Sequence, residues 1–174
     1  MTADDDITIR PCRPSDAEVV AAYHHRCWVL AFAPLVGEEA VAQLDPWFRL
    51  PTFRHWFGDG RDEIVTLIAG RDGVAIGHTS VEGNEVVHLF VDPDHWGSGL
   101  GRRLLLEAEA LVAGAGHREA ELHTIVGNEP AIRLYRSHGW EVTDRVLHQR
   151  AGPVAYDEHV LVKQLRPPLP PPAQ

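Results

Sequence analysis

The stretch VDPDHWGSGLGRRLL, residues 91–105, decides the fold because it joins a strand to a helix through three alternating glycines. A glycine has no Cβ, so its amide can approach a bulky ligand and adopt unusual dihedral angles. The start of the following helix carries partial positive charge and free N–H groups, which suit a phosphate. Arg102 and Arg103 in the first helical turn oppose the helix dipole, and a bound anion would offset that cost. The stretch therefore predicts an anion site.

Two familiar nucleotide-binding motifs do not match this stretch. The dinucleotide fingerprint requires a third glycine three residues after the second, and Arg102 stands there after Gly97 and Gly99. The Gly-Lys-Ser/Thr of a P-loop does not occur in the sequence. The preceding strands also predict an antiparallel meander, whereas a Rossmann unit would begin with a βαβ unit. The anion therefore belongs to another class of ligand.

The segment before this stretch predicts a short strand, a helix and a three-stranded meander. Residues 7–10 form the strand, and Ser15 or Asp16 caps a helix that runs to about Phe32. One or two short helices are expected over residues 33–60. Three strands follow, joined by tight turns at residues 72–73 and 83–84. These strands are residues 64–69, 74–81 and 85–91. The last, EVVHLFV, is almost continuously apolar, which is typical of a central strand.

The segment after the glycines predicts a crossover unit and a final hairpin. A helix to about Ala115 leads into a strand over residues 119–125, which a right-handed crossover places parallel to residues 85–91. Asn128 caps a second helix, which ends at Gly139. A hairpin of residues 140–149 and 154–165 completes the chain. The expected fold class is α/β (α+β), with a mixed, mostly antiparallel sheet and helices on both faces.

The composition excludes several classes of function. The chain has 174 residues, a length that suits one domain, and a net charge of −9 that disfavours nucleic acid and favours a cationic substrate. The acidic N-terminus and the lack of a long apolar run predict a cytoplasmic protein without a membrane partner. Two cysteines without CxxC spacing and eleven histidines without an HExxH motif indicate no metal site. We expect a domain over residues 1–166 and a disordered, proline-rich tail over residues 167–174.

Two blocks of sequence resemble the GNAT superfamily of acetyl-CoA-dependent N-acetyltransferases. HWGSGLGRRLL resembles its motif A, Gln/Arg-x-x-Gly-x-Gly/Ala, with Gly99 and Gly101 in place and Trp96 at the Gln/Arg position. NEPAIRLYRSHGW, residues 128–140, is similar to the pattern Asn-x-x-Ala-x-x-x-Tyr-x-x-x-Gly-Phe/Trp. The order of strands and helices fits the family over about residues 7–165. The resemblance thus rests on two motifs at family spacing and on topology.

The resemblance implies a GNAT fold, in which a six- to seven-stranded sheet contains a splayed parallel strand pair. It also implies acetyl-CoA as cosubstrate, without a metal, and direct attack of a primary amine within a ternary complex. The backbone of Leu89 and Val91 would receive the pantetheine arm, and the loop amides would hold the pyrophosphate. The residues that correspond to the cofactor site are Leu89, Phe90, Val91, Trp96, Gly97, Ser98, Gly99, Leu100, Gly101, Arg102, Arg103, Asn128 and Tyr135.

Three residues are candidates for proton transfer. The resemblance assigns Tyr135 as the general acid that protonates the departing thiolate, with a packing role as the alternative. The resemblance makes Glu85, at the start of the central strand, the first candidate for the general base. His88 is its rival because of its near-neutral titration range. Glu85 would otherwise be a solvated turn residue, and His88 a core histidine. Their spacing of three places them on opposite faces of a regular strand, which a β-bulge would change.

The acceptor pocket is expected in the N-terminal part, with Trp28, Phe32 and Trp56 as candidate wall residues. The leading hypothesis is an acetyltransferase that acts on the amine of a small molecule or peptide. The alternatives are a protein acetyltransferase for an α-amine or a lysine, and an acyl-CoA-binding sensor without catalysis. The sequence leaves a homodimer open.

Overall fold

A computed structural model describes residues 6–60 and 62–165. These residues form a seven-stranded sheet in the order β1-β2-β3-β4-β5-β7-β6. The strands are β1 (Ile7–Pro11), β2 (Val65–Arg71), β3 (Val74–Glu82), β4 (Glu85–Val91), β5 (Glu119–Ile125), β6 (Glu141–Ala151) and β7 (Val154–Gln164). The helices are α1 (Ala17–Cys27), α2 (Ala33–Val36), α3 (Glu38–Ala42), α4 (Leu50–Phe57), α5 (Leu100–Gly114) and α6 (Glu129–Ser137). The proline-rich tail predicted for residues 167–174 lies outside the described residues.

The sheet is mixed, as predicted, and β4 lies at its centre. Strands β1 to β4 form the antiparallel meander, and the crossover through α5 makes β5 parallel to β4. Strand β7 then inserts between β5 and β6 and runs antiparallel to both. The central position of β4 agrees with its continuous apolar sequence, because a central strand is covered on both faces.

The parallel pair β4–β5 splays after only two registered positions. Glu85 lies opposite Glu121 and Val86 opposite Leu122, whereas β4 continues to Val91. Beyond Val86 the edge of β4 that faces β5 has no strand in register with it in the described chain. The predicted splay is therefore present, and it opens the middle of the sheet.

A β-bulge in β4 sets which of its side chains share a face. Ser80 pairs with His88 but the adjacent Val81 pairs with Val86, so one extra residue stands in β4. Val86 and Leu89 accordingly pack in the same core cluster with α5, although they are three residues apart. Because the residues that flank them point the other way, Glu85 and His88 share the opposite face. The expectation of opposite faces for this pair is corrected by the bulge.

Helices cover both faces of the sheet, as predicted. On one face, α5 buries Leu105, Ala108 and Val112 against Val86 of β4 and Leu122 of β5. On the other face, α1 and α4 bury an apolar cluster against β2 and β3, which includes Val20, Tyr23, Phe53, Phe57 and Ile68. The splayed strands therefore lie between two separately packed layers.

The N-terminal segment contains more breaks than its sequence predicts. Helix α1 ends at Cys27 and continues as a π-helical turn over Trp28–Phe32, where a single helix was expected. Three short helices follow within residues 33–60, rather than one or two. This π-helical turn, which is wider than an α-helical turn, lies beside the opening between the splayed strands β4 and β5. Its first residue, Trp28, is only 3% exposed.

None of the predicted side-chain caps forms at Asp16 or Asn128, and the alternative, Ser15, lies inside a 3₁₀ turn over Pro14–Asp16 before α1. The Asp16 carboxylate accepts hydrogen bonds from the Arg10 guanidinium at 2.8 Å and from the Arg13 amide at 2.7 Å, not from amides of α1. Asn128 precedes α6, but its Nδ2 donates to the Thr124 hydroxyl at 3.4 Å instead of capping the helix. Both side chains thus connect different elements of the fold.

The helical run Pro14–Val36 has 23 residues and a mean hydropathy of 1.2 in its most apolar window. By length and composition alone it is long enough and apolar enough to cross a membrane. In this fold Val20, Tyr23 and Trp28 of the run are buried among other parts of the chain, as in the core helix of a globular domain.

Candidate active site

A cavity of about 850 Å³ lies where β4 and β5 splay apart. The start of α5, the loop before it, and α1 with its π-helical turn all line the cavity. Most of the residues singled out from the sequence line it, namely Trp28, Phe32, Glu85, His88, Leu89, Phe90, Val91, Trp96, Gly97, Gly99, Leu100, Gly101, Arg102, Asn128 and Tyr135. The fold therefore brings two distant motifs and the N-terminal aromatics to one opening.

The open edge of β4 offers backbone groups to the cavity. The Asp92 amide donates to the Ile76 carbonyl of β3 at 2.9 Å. Backbone groups of successive residues in a strand point to alternate sides, so those of Leu89 and Val91 point away from β3. That side is the one that β5 leaves beyond Val86. Leu89 thus presents an N–H and a C=O along the cavity, as the edge of a sheet does for an added strand.

Phe90 also lines the cavity, but through its ring. The ring lies 4.4 Å from the His24 ring and 5.7 Å from the His78 ring, between centroids. Its backbone faces β3, because it alternates with Val91. Phe90 therefore contributes an apolar wall rather than a free amide.

The glycine loop, residues 96–101, has the backbone that its sequence predicts. Gly97 has φ +76° and Gly99 has φ +84°, in a region that other residues rarely adopt. The amides of Gly101 and Arg102 lie in the first turn of α5, where no helical carbonyl is available to them. These four residues line the cavity and form its amide-rich end.

Two residues of the predicted anion site turn away from the cavity. The amide and hydroxyl of Ser98 donate to the His95 carbonyl at 3.4 Å and 2.7 Å. The Arg103 amide donates to the Gly99 carbonyl at 3.2 Å, and its guanidinium donates to the Ile7 carbonyl at 3.2 Å. Arg102, in contrast, is exposed and lines the cavity. The two neighbouring arginines therefore have different surroundings.

Tyr135 of α6 and Asn128, just before α6, both line the cavity. Tyr135 is only 6% exposed, packs beside Trp140 with 6.3 Å between ring centroids, and has its pKa raised to about 12 by burial. Its hydroxyl thus stays protonated at neutral pH. Asn128 uses its Nδ2 to donate to the Thr124 hydroxyl. Its side-chain oxygen, Oδ1, takes no part in that bond.

Two carboxylates contact His123 of β5: Glu121 of the same strand and Glu85 of the neighbouring strand β4. His123 Nδ1 lies 3.3 Å from Glu85 Oε1, and His123 Nε2 lies 3.0 Å from Glu121 Oε1. Burial raises the pKa of Glu85, and the nearby Glu121 adds to the rise while His123 opposes it. Burial acts the same way on Glu121, but hydrogen bonds from His123 and Arg145 outweigh it and lower the pKa of Glu121. Glu85 is therefore the more basic of the two carboxylates.

Glu158 of β7 is a second carboxylate on the cavity, and its pKa is also raised, mainly by burial. Sequence analysis missed Glu158 and His123 because only the pairing of β5 with β4 and β7 brings them near Glu85. Arg49 also lines the cavity, and its Nε is buried without a hydrogen-bond partner. The cavity lining therefore carries both charge signs.

His88 belongs to a buried cluster of histidine rings rather than standing alone. It is 9% exposed, stacks on His24 at 5.4 Å and lies 3.3 Å from His78 between ring nitrogens. Burial lowers the pKa of His88 and His24 well below 6.5 and that of His78 to about 3. Among the described residues, no group of three or more His, Cys, Asp or Glu is arranged to hold a metal ion.

The three aromatic residues proposed for the acceptor wall have different positions. Trp28 and Phe32 line the cavity and pack edge to face, with 5.2 Å between ring centroids. Trp56 packs against Phe53 and against His88, 4.9 Å from the latter ring, and is not among the residues that line the cavity. Of the three predicted wall residues, the two that line the cavity therefore lie in the π-helical turn.

Comparison with known proteins identifies the family. A sequence model of the acetyltransferase (GNAT) family matches residues 21–140 of the chain. This chain belongs to the GNAT acetyltransferase family. The GNAT chain is 30% identical over 156 residues to an aminoglycoside N(6')-acetyltransferase type 1 of Stenotrophomonas maltophilia, covering 82% of this chain and 92% of that protein. The family inferred from the two motifs is confirmed.

Two other relatives are longer proteins. The GNAT chain is 27% identical over 160 residues to a mycothiol acetyltransferase of Nocardioides sp., covering 85% of this chain and 54% of that protein. It is also 42% identical over 76 residues to an uncharacterized protein of Mycobacterium leprae, of which it spans 20%. The chain thus spans about half or less of these two relatives.

Solved structures share the GNAT fold. The PaiA N-acetyltransferase of Thermoplasma acidophilum, solved in complex with coenzyme A, superposes with a TM-score of 0.74 at 23% identity, over 91% of this chain and 98% of that one. A Salmonella typhimurium structure that contains acetyl-CoA gives a TM-score of 0.69 at 23% identity, over 98% and 100%. The fold predicted from the sequence is confirmed.

Proposed function

We propose that this GNAT protein transfers the acetyl group of acetyl-CoA to a primary amine of a small molecule. One observation carries the proposal: a single cavity joins the open edge of β4, at Leu89, to the amide-rich glycine loop. An extended amide chain and a pyrophosphate require those two features at two ends of one site. Acetyl-CoA supplies an activated acetyl thioester when it is bound there.

The residues present fit coenzyme A. The amides of Gly97, Gly99, Gly101 and Arg102, together with the Arg102 guanidinium, are proposed to hold the pyrophosphate. The N–H and C=O of Leu89 are proposed to bind the pantetheine arm as an added strand. The same edge would place an N–H beside the thioester oxygen and stabilise the negative charge that develops on it.

Glu85 is proposed as the general base. A lysine-like ammonium has a pKa of about 10.4 and must lose a proton before it attacks. Glu85 lines the cavity, its pKa is raised by burial, and His123 is 3.3 Å from its oxygen. The bulge puts Glu85 on the same face of β4 as His88, which supports a role in taking the proton directly or through a water.

Tyr135 is proposed as the general acid. Its pKa of about 12 keeps the phenol protonated at neutral pH, and it lines the cavity. A protonated phenol can donate to the sulfur as the thiolate leaves. Base and acid would then act from different elements, β4 and α6, within one ternary complex of both substrates.

The acceptor is proposed to bind in the part of the cavity lined by Trp28, Phe32, Glu85 and Glu158, which favours a cationic amine with an apolar portion. Trp28 and Phe32 provide an aromatic wall, and Glu85 and Glu158 provide carboxylates. Three relatives are a mycothiol acetyltransferase, an aminoglycoside N(6')-acetyltransferase and, at 24% identity over 148 residues, a spermidine N(1)-acetyltransferase of Thermoplasma acidophilum. Their acceptors support a small molecule over a protein.

A thiol-release assay with acetyl-CoA tests this function across polyamines, aminoglycosides, amino acids and peptides. We expect turnover on at least one small amine. Turnover confined to peptides would favour the protein acetyltransferase instead. Binding of coenzyme A without turnover on any amine would favour the sensor.

A further inference from the structure

A buried chain of hydrogen bonds leads from α1 to the cavity. The Tyr23 hydroxyl lies 2.8 Å from His78 Nδ1, and His78 Nε2 lies 3.3 Å from His88 Nδ1. Tyr23 is 2% exposed and His78 is 0% exposed, whereas His88 is 9% exposed and lines the cavity. The three side chains come from α1, β3 and β4, so only the tertiary fold aligns them.

Tyr23, His78 and His88 are all neutral, so each of the two histidine rings carries one N–H. Burial lowers the pKa of His78 to about 3 and that of His88 well below 6.5, with His24 and His78 adding to the latter effect. Burial raises the pKa of Tyr23 well above 10, so its hydroxyl keeps its proton. One proton on each ring leaves two possible directions for the chain.

The two directions differ in what they leave unpaired. If Tyr23 donates to His78 Nδ1, then His78 donates from Nε2 to His88 Nδ1, and the remaining N–H is His88 Nε2 at the cavity. If the hydrogen bonds run the other way, His88 Nδ1 donates to His78 Nε2 and His78 Nδ1 donates to the Tyr23 oxygen. The buried Tyr23 proton then has no acceptor among these three side chains. A buried hydroxyl proton without an acceptor bears the full cost of its desolvation, so the first direction is favoured.

We infer that Tyr23 and His78 are positioning residues that hold His88 as the tautomer with its proton on Nε2. His88 then presents an N–H donor to the cavity, which suits an oxygen lone pair on the bound acceptor. In that form Nε2 cannot take the proton of the amine, so the base remains Glu85 on the same face. The role toward the acceptor rests on the proposed function, whereas the tautomer does not.

The tautomer can be measured on the protein without substrates. Long-range ¹H–¹⁵N correlation spectra of labelled protein at neutral pH distinguish a protonated Nε2 from a protonated Nδ1 for each assigned histidine. We expect protonated Nε2 and unprotonated Nδ1 for both His78 and His88. A wild-type His88 with its proton on Nδ1 overturns the inference.

Tyr23→Phe removes only the hydroxyl that sets the direction. We expect the His78 and His88 signals of this variant to move toward a mixture of tautomers, while the exposed His148 keeps its wild-type pattern. Thermal unfolding establishes that the variant is folded. Unchanged tautomers in a folded Tyr23→Phe variant would also overturn the inference, and the wild-type spectrum decides the matter if the variant does not fold.

Kinetics separate this inference from the proposed function. We expect Tyr23→Phe to raise KM for the acceptor several-fold while the acidic limb of the pH profile, which Glu85 governs, keeps its position. A shift of that limb would instead assign the base to His88 and overturn the inference. If no amine is acetylated the proposed function fails, but the wild-type spectrum still tests the tautomer.

Discussion

The indole Nε1 of Trp96 donates a hydrogen bond to the carbonyl oxygen of Val91 at 2.8 Å. The Cys27 thiol donates to the same oxygen at 3.3 Å. Trp96 stands where motif A has Gln or Arg, and here it ties the start of the glycine loop to the end of β4. Because the Val91 carbonyl already has two donors, the N–H and C=O of Leu89 and the N–H of Val91 are the backbone groups left on that edge.

Replacing Trp96 tests this connection. Trp96→Phe keeps an aromatic ring but loses the donor, which should cost about 1 kcal/mol of unfolding free energy. We expect a several-fold rise in KM for acetyl-CoA, because the loop is less well held before binding. Trp96→Gln retains a donor and serves as the comparison in steady-state kinetics. Wild-type KM in the Phe variant would show that the bond does not organise the loop.

Arg102 and Arg103 form a matched pair for testing the anion site. Only Arg102 lines the cavity, whereas the Arg103 guanidinium contacts the Ile7 carbonyl. Arg102→Ala should raise KM for acetyl-CoA about tenfold, which corresponds to about 1.4 kcal/mol. Arg103→Ala should leave that KM close to wild type. Equal effects of the two variants would place the pyrophosphate elsewhere.

Glu85→Gln tests the base through the pH profile. Burial raises the pKa of Glu85 above its ordinary 4.5, and a base must be deprotonated to act. The wild-type rate should therefore fall as the pH drops through that raised pKa. The variant should lose the limb together with about 10²- to 10⁴-fold in kcat. Glu158→Gln, at the other carboxylate with a raised pKa, should keep the limb. A limb that survives in Glu85→Gln would contradict the assignment.

Tyr135→Phe tests the acid. The ring that packs against Trp140 is retained, so the folded structure should persist, while the proton donor is lost. We expect kcat to drop about 10²-fold or more and the KM for acetyl-CoA to stay unchanged. Steady-state kinetics at fixed acceptor concentration measure both quantities, with thermal unfolding as the control. An unchanged kcat would leave Tyr135 with a packing role alone.

Asp16 is expected to stabilise the fold in a pH-dependent way. Burial opposes its charge, but hydrogen bonds from Arg10 and from the Arg13 amide outweigh that effect and lower the pKa of Asp16 below 3.8. The stabilisation is therefore present above the unfolded-state pKa of about 3.9 and is lost as the pH falls through the lower folded-state value.

Asp16→Asn should lower the unfolding free energy by about 1–3 kcal/mol at neutral pH, as measured by urea titration. Glu18→Gln is the control, because the Glu18–Arg54 pair is largely exposed and should contribute less than about 1 kcal/mol. An equal loss in both variants would show that burial of Asp16 adds nothing.

The elements of the fold could be predicted because their signals are local. The bounds of β4 and β5 follow from apolar runs between turn residues, and the glycine loop follows from positions that only glycine occupies easily. The π-helical turn was missed because its side chains resemble those of an ordinary helix. The caps at Asp16 and Asn128 were wrong because both side chains have partners outside their helix.

The sequence by itself determined the order of the strands, the glycine loop and the family, since each rests on residues that are adjacent in the chain. Only the tertiary structure decided which groups share the cavity. The bulge in β4 put Glu85 and His88 on one face, and strand pairing brought His123 and Glu158 to them. Packing turned Arg103 toward β1 and left Arg102 at the cavity. Register and packing join distant residues, so no local pattern in the sequence specifies them.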